Sequence, residues 1–234
     1  MDAVICKFSL DLSQLYAGTY LGGSNVDAGY SLKISRDGYV YACGGTNGTD
    51  FPTTSGSYQP TYQGGRADGW IMQLGPDLDT LFLGTYWGTP AYDQVLMIDV
   101  DRRNILWGAG HTEGILTPTP GAYGFTGCKQ FIFSMSPDLS QVSRLSIWGN
   151  PGRTTPNITI SAFAADRCGY TYVSGWGGLS QVSTPTGSTV GLPTTPNANR
   201  TTTDGSDFYV IGLRADLSIL AYASLREDPF PRNM

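Results

Sequence analysis

DGWIMQLGPDLDTLFLGTYWG, residues 68–88, is the stretch that decides the fold, because the chain carries it in four versions. The others are DAVICKFSLDLSQLYAGTYLG (2–22), KQFIFSMSPDLSQVSRLSIWG (129–149) and DFYVIGLRADLSILAYASLRE (207–227), so successive copies begin 66, 61 and 78 residues apart. A unit of that length is one supersecondary piece that cannot bury its own faces, so it has to stack on its neighbours.

Inside each copy the residues alternate. Val4, Cys6 and Phe8 share one face of an extended strand, as do Trp70, Met72 and Leu74, then Phe131, Phe133 and Met135, then Tyr209, Ile211 and Leu213. The period is two, which predicts a strand. The opposite face is apolar as well, with Ile5, Ile71, Ile132 and Val210 at its centre, so the sheet is expected to lie between neighbours. Asp11-Leu12-Ser13, Asp77-Leu78-Asp79, Asp138-Leu139-Ser140 and Asp216-Leu217-Ser218 then read as short hairpins closed by the aspartate side chain. Two further strands precede the second, third and fourth copies and turn at Asp37-Gly38, Arg103-Asn104 and Cys168-Gly169. Gly38, Asn104 and Gly169 align, and glycine or asparagine is what a left-handed hairpin position demands. Four strands joined by short hairpins make an antiparallel sheet of propeller-blade size.

Several spaced motifs carry a family resemblance. Asp2 with Lys7-Phe8, Thr19-Tyr20-Leu21-Gly22-Gly23, Asp37-Gly38-Tyr39-Val40-Tyr41 and Phe51-Pro52-Thr53-Thr54-Ser55-Gly56-Ser57-Tyr58-Gln59 resemble the bacterial β-propeller repeat called SBBP. Pro156-Asn157-Ile158 with Asp166–Gly178, together with Thr202–Tyr209, look like the propeller region of large Bacteroidetes surface proteins. Those proteins carry immunoglobulin-like modules and a C-terminal sorting domain of the gliding-motility, type IX secretion kind. The chain departs from the pattern at Lys129-Gln130, where Asp is usual, and at Arg226–Met234. The resemblance implies an all-β β-propeller with four-stranded antiparallel blades and an extracellular or cell-surface location. It covers nearly the whole chain.

The expected layout is a single propeller segment, 1–234, divided as an outer half blade (1–28) and blades 29–92, 93–157 and 158–234. This makes an open arc of about three and a half blades, against the ~4–8 of complete propellers. The chain starts inside a strand with no basic and apolar leader, so it is expected to be a fragment whose remaining blades belong to the same parent chain. With 31 Gly, 14 Pro and 14 Tyr but only 14% charged residues, the composition fits many short strands and turns. A net charge of −5 without a Lys/Arg cluster argues against a nucleic-acid partner, and no apolar run is long enough to insert in a membrane.

Connections 45–67, 111–128 and 176–206 are long, and each contains one recurring element: 51–58, 116–123 (LTPTPGAY) and 192–199 (LPTTPNAN). Such an element either packs over neighbouring strands or helps display a binding surface on the rim to which the long loops belong. On that rim Asp27 and Asp93 take matching places before a strand, with Asn157 near the third. They can cap a turn or bind a cation or polar ligand. His111 is the only histidine, aligned with Gly45 and Trp176 at a loop entrance. It has no Cys or carboxylate at metal-site spacing, so no metal or other cofactor is expected. Cys6 and Cys43 read as strand-core residues, whereas Cys128 and Cys168 fall on opposite rims, which argues against pairing them. Asn47, Asn157 and Asn199 head glycosylation-type triplets in a Thr-rich chain, and no Ser/His/Asp set or phosphate-cradling glycine loop is present.

The expected function is a non-enzymatic scaffold for adhesion or protein interaction. Its ligand-binding candidates are Asp27, Asp93, His111 and Trp176 on the long-loop rim, and its ligand is a protein or glycan. The alternative is a glycan-active hydrolase or lyase using carboxylates such as Asp27 and Asp93, and a plain structural spacer is a third reading.

Overall fold

The computed structural model describes residues 1–178, 187–214 and 216–227, and among them there are strands and turns but no helix. Part of the expected loop 176–206, at 179–186, and most of the divergent tail, at 228–234, lie outside the described residues. The quoted stretch forms β5 (Asp68–Leu74) and β6 (Leu81–Trp87). Before it come β1 (Ala3–Phe8), β2 (Leu15–Leu21), β3 (Asp27–Ile34) and β4 (Val40–Thr46). After it come β7 (Asp93–Val100), β8 (Leu106–Thr112), β9 (Gln130–Met135), β10 (Val142–Trp148), β11 (Thr159–Ala165), β12 (Tyr170–Trp176), β13 (Phe208–Arg214) and β14 (Leu220–Arg226).

Four antiparallel sheets result, a two-stranded one (β1-β2) and three four-stranded ones (β3 to β6, β7 to β10, β11 to β14), each in chain order. The architecture is all-β and propeller-like. The repeat extends to irregularities: the ladder slips at Lys7/Phe8, Gln73/Leu74 and Gly212/Leu213, one repeat position in three copies. The chain divides into two compact units, Met1–Gly110 with Phe133–Ser143, and His111–Ile132 with Arg144–Met234. That division passes through the third sheet.

In the first unit, Trp70, Met72 and Leu74 join Val40, Ala42 and Tyr86 in one buried cluster, and Ala3, Ile5 and Leu21 pack onto it from β1–β2. Phe51 stacks on Trp70 with centroids 4.8 Å apart. The other face is covered too, since β7 packs across β3, β4 and β5, and Trp87 stacks on Phe133 at 4.2 Å. Both faces of β5 are therefore dry, as the double apolar alternation predicts, with Trp70 and Ile71 each fully buried. Burying a side chain of this size contributes about 1.5–3 kcal/mol. Within the second unit Trp148 stacks on Tyr209 at 5.9 Å.

The hairpins confirm one expectation and add to it. Gly38, Asn104 and Gly169 have φ of 87°, 59° and 83°, the left-handed geometry their alignment predicts. Asp11, Asp138 and Asp216 accept the amides of Ser13, Ser140 and Ser218, as expected of the Asp-Leu-Ser turns. In the second copy Asp77 forms an ion pair with Lys7 at 2.9 Å. The addition is that the central leucine of every copy, Leu12, Leu78, Leu139 and Leu217, is itself left-handed, with φ between 52° and 61°. A Cβ in that region costs roughly 1–2 kcal/mol. Leu139 and Leu217 are 0% exposed, so burial of the side chain offsets the strain.

Candidate functional site

The strands run slightly past their expected ends, and this relocates two candidates. His111 lies in β8 and Trp176 closes β12, so neither is a loop residue. His111 is buried, and loss of water pushes its imidazole down to about 4, leaving it neutral at neutral pH. Trp176 is half-buried, with its ring edge-on to Phe208 at 6.3 Å.

Asp27 and Asp93 open β3 and β7 and are both buried. Asp27 Oδ2 accepts the Gly23 amide at 3.0 Å. Asp93 Oδ2 accepts the Thr89 amide at 2.6 Å and the Thr89 hydroxyl at 2.8 Å. At the third such entry Asn157 Oδ1 accepts the Asn150 amide at 2.8 Å, while its Nδ2 donates to Ser188 O at 2.8 Å. All three side chains clamp the connection that feeds their own strand, which is the turn-capping role. Burial of Asn157 also removes it as a glycosylation acceptor in the folded chain.

Beside this row stands a residue that the sequence reading left out. Asp68, the first residue of β5, is 0% exposed, and its Oδ2 accepts the Gln63 amide. Its Oδ1 is buried without a hydrogen-bond partner. Burial, with the nearby charge of Asp93 adding to it, raises its carboxyl to about 7, even though amides from Gln63 and Gly64 pull the other way. The only signal in the sequence was its repetition at Asp2, Asp68 and Asp207, which reads as part of the fold. Lys129 occupies the same position in the third copy, also buried, and its Nζ donates to Glu113 O at 2.9 Å and Gly114 O at 2.8 Å. The departure from the repeat pattern therefore has a local partner, a loop that turns carbonyls inward instead of amides.

The recurring loop element lies along the outer edge of its own sheet. Thr54 N donates to Gly84 O (3.0 Å) and Tyr86 N to Gln59 O (2.9 Å), both on β6. Thr119 N to Leu145 O and Phe125 N to Ile147 O repeat this on β10, and Thr195 N to Ala223 O and Leu225 N to Arg200 O repeat it on β14. A hydroxyl at one repeat position helps each time: Thr85 accepts from Gln59 N, Ser146 donates to Tyr123 O, and Ser224 accepts from Asn199 N. The far end of the element reaches the next hairpin, where Tyr58 N meets Leu139 O at 2.8 Å and Tyr123 N meets Leu217 O at 2.6 Å. Packing over neighbouring strands is thus the role of this element, and it shields an edge that is otherwise open to pairing with another chain.

All four cysteines are free thiols, with Cys43 and Cys128 buried and Cys6 and Cys168 exposed. Among the described residues no group of three His, Cys, Asp or Glu side chains is arranged to hold a metal ion, and no helix is long and apolar enough to cross a membrane. Chemically, the strand-entry row can fasten loops and store one high-pKa carboxyl, and it offers no carboxylate surface to an incoming substrate at Asp27, Asp68 or Asp93. Compared with known proteins, the chain matches no family model and no curated protein.

Proposed function

We propose that this chain is a β-propeller segment, an open arc of about three and a half blades of the SBBP-like kind, that serves as a non-enzymatic interaction or adhesion scaffold. On this reading it belongs to a secreted or cell-surface protein, and further blades come from the same parent chain. One observation carries the non-enzymatic part. Asp27 and Asp93 are buried at matching strand entries, with carboxylate oxygens taken up by backbone amides. A hydrolytic carboxylate has to reach its substrate.

Ligand contact then falls to the parts of the long loops that are not fastened to the sheet edge. Thr61, Gly65 and Arg66, and Ile115 and Thr117, are exposed there. Loops held by a rigid scaffold are where binding usually resides. The second reading, a glycan-active hydrolase or lyase, draws support from Asp68, whose raised carboxyl sits beside the Asp93 charge as a general acid's does. The test is a glycan-array and surface-protein binding screen run beside a broad glycosidase and lyase panel. Binding that weakens on Ile115→Asp without any turnover supports the scaffold. Turnover abolished by Asp68→Asn or Asp93→Asn overturns it.

A further inference from the structure

Each four-stranded sheet turns from its first strand to its second in the same way. Gly38 N donates to Ser35 O at 3.0 Å, Asn104 N to Asp101 O at 2.9 Å and Gly169 N to Asp166 O at 3.3 Å. The opening side chain of each turn is consumed by that turn. Ser35 Oγ accepts the Tyr39 amide, Asp101 Oδ1 accepts the amides of Arg103 and Ile105, and Asp166 Oδ1 accepts those of Cys168 and Tyr170. The next residue is arginine every time: Arg36, Arg102 and Arg167, spaced by 66 and 65 residues. All three are exposed. A turn of this kind takes most residue types at its second position, so its geometry does not call for arginine.

Ion pairing does not call for it either. Among the described residues Lys33 pairs with Asp99 at 3.6 Å and Arg103 with Asp101 at 3.1 Å, whereas Arg36, Arg102 and Arg167 form no ion pair. In the first compact unit two of these leftover side chains share a cavity. Arg36 and Arg102 line one cleft of about 460 Å³ with Val100 and Asp101. The two hairpins that form it are braced together, since Asn104 Nδ2 donates to Asp37 Oδ2 and Lys33 holds Asp99. Asp101 Oδ2 accepts from the Arg103 guanidinium and from Trp107 Nε1. The carboxylate in the cleft is thus already matched, and two arginines are not.

Residues 33–37 and 99–103 carry four basic and three acidic side chains, an excess of one positive charge in a chain whose net charge is −5. That balance suits a monoanion, because a phosphate dianion would leave the cluster negative. Guanidinium forks match the paired oxygens of a carboxylate or a sulfate ester. The lining offers no aromatic ring for a base to stack on and no large apolar anchor of the kind on which protein interfaces centre. We propose that this cleft is a subsite for the monoanionic groups, carboxylate or sulfate ester, of an acidic polysaccharide. A polymer with evenly repeated monoanions fits a turn that repeats its arginine once per sheet. The site lies at the hairpin ends of the strands, so it goes beyond the long-loop surface and does not depend on what that surface binds.

The test is binding of the whole chain to immobilised polygalacturonate, dextran sulfate and neutral dextran, with poly-glutamate and oligo-dT as other polyanions, followed by biolayer interferometry. The expected result is binding to an acidic glycan and none to dextran. Affinity should weaken about five- to tenfold from roughly 50 to 200 mM salt, as two charged contacts release counterions. Arg36→Gln and Arg102→Gln should each lower affinity about three- to fivefold, the scale of an exposed charge pair. The double variant falls to the dextran level at an unchanged urea midpoint, because both side chains are exposed and unpaired. Arg36→Lys keeps the charge but loses the fork, so its affinity lies between those of the unaltered chain and Arg36→Gln. Whichever acidic glycan responds to these variants identifies the anion. Arg66→Gln removes the same charge from an exposed position on the long-loop rim and should leave binding unchanged. Failure to bind either acidic glycan, equal binding of poly-glutamate or oligo-dT, or binding retained by the double variant overturns the proposal. An equal loss on Arg66→Gln overturns it too, and leaves the scaffold reading of the long-loop rim standing.

Discussion

Replacing Asp68 with asparagine should stabilise this protein at neutral pH and leave it unchanged in acid. The carboxyl has an ordinary value of 3.8 and is lifted to about 7 by burial, with Asp93 adding to the effect. A folded-state value above the unfolded one means that the folded chain holds the extra proton. The contribution is then complete below pH 4 and is lost as pH rises from there through 7. A rise of that size corresponds to roughly 4 kcal/mol well above pH 7, and asparagine keeps Oδ1 for the amides of Gln63 and Gly64, so the expected gain at pH 8 is roughly 2–4 kcal/mol. Urea melts followed by tryptophan fluorescence, at half-unit steps from pH 4 to 8, measure the difference between the two proteins. That difference should grow by about 1.4 kcal/mol per pH unit across the window at unchanged m. Other titrating groups are common to both proteins and cancel. A difference that stays flat with pH, or an asparagine variant less stable at pH 8, would refute the burial argument.

His111 acts in the opposite direction. Its value is pushed from 6.5 to about 4 in the folded chain, so its contribution is present above pH 6.5 and roughly 3 kcal/mol is lost as pH falls to 4; His111→Phe should remove that part of the acid slope in the same melts. The left-handed leucines should divide by burial. Leu139→Gly, at a fully buried side chain, is expected to lose about 2–3 kcal/mol by denaturation, whereas Leu12→Gly, at one 75% exposed, should be neutral or gain up to ~1 kcal/mol. Thr85→Val keeps shape but strands the Gln59 amide, so it should cost about 1–2 kcal/mol and speed hydrogen exchange at Gln59 and Thr54, where the loop element is fastened.

How much of this was legible in the sequence depended on whether one residue or a partnership set the structure. The strands were readable because period-two alternation is a property of each strand alone. The turns at Gly38, Asn104 and Gly169 were readable because few residue types tolerate their φ. The leucine turns hid in plain sight, since leucine disfavours positive φ and only its fourfold recurrence directly after Asp hinted at a special position. What holds it there is burial of the side chain at Leu78, Leu139 and Leu217, a tertiary fact. The edge-covering loops have no periodicity to read, and their course depends on backbone groups of strands far along the chain. For the same reason His111 and Trp176 read as loop residues although they belong to strand ends, where ladder pairing decides the boundary.

The strand-entry row shows why charge alone misleads in a repeat protein. At one repeat position Asp68 accepts a hydrogen bond from an amide of its loop, and Lys129 donates hydrogen bonds to two carbonyls of its loop. Opposite charges perform the same fastening because each loop presents the complementary backbone dipoles. A position that tolerates inversion of sign is constrained by hydrogen-bond completion. Asp27, Asp93 and Asn157 follow the same logic with the charge removed in the third case, since the asparagine oxygen still accepts the connecting amide. Binding chemistry in such a chain therefore belongs to residues the fastening leaves over, which are the unfastened loop segments.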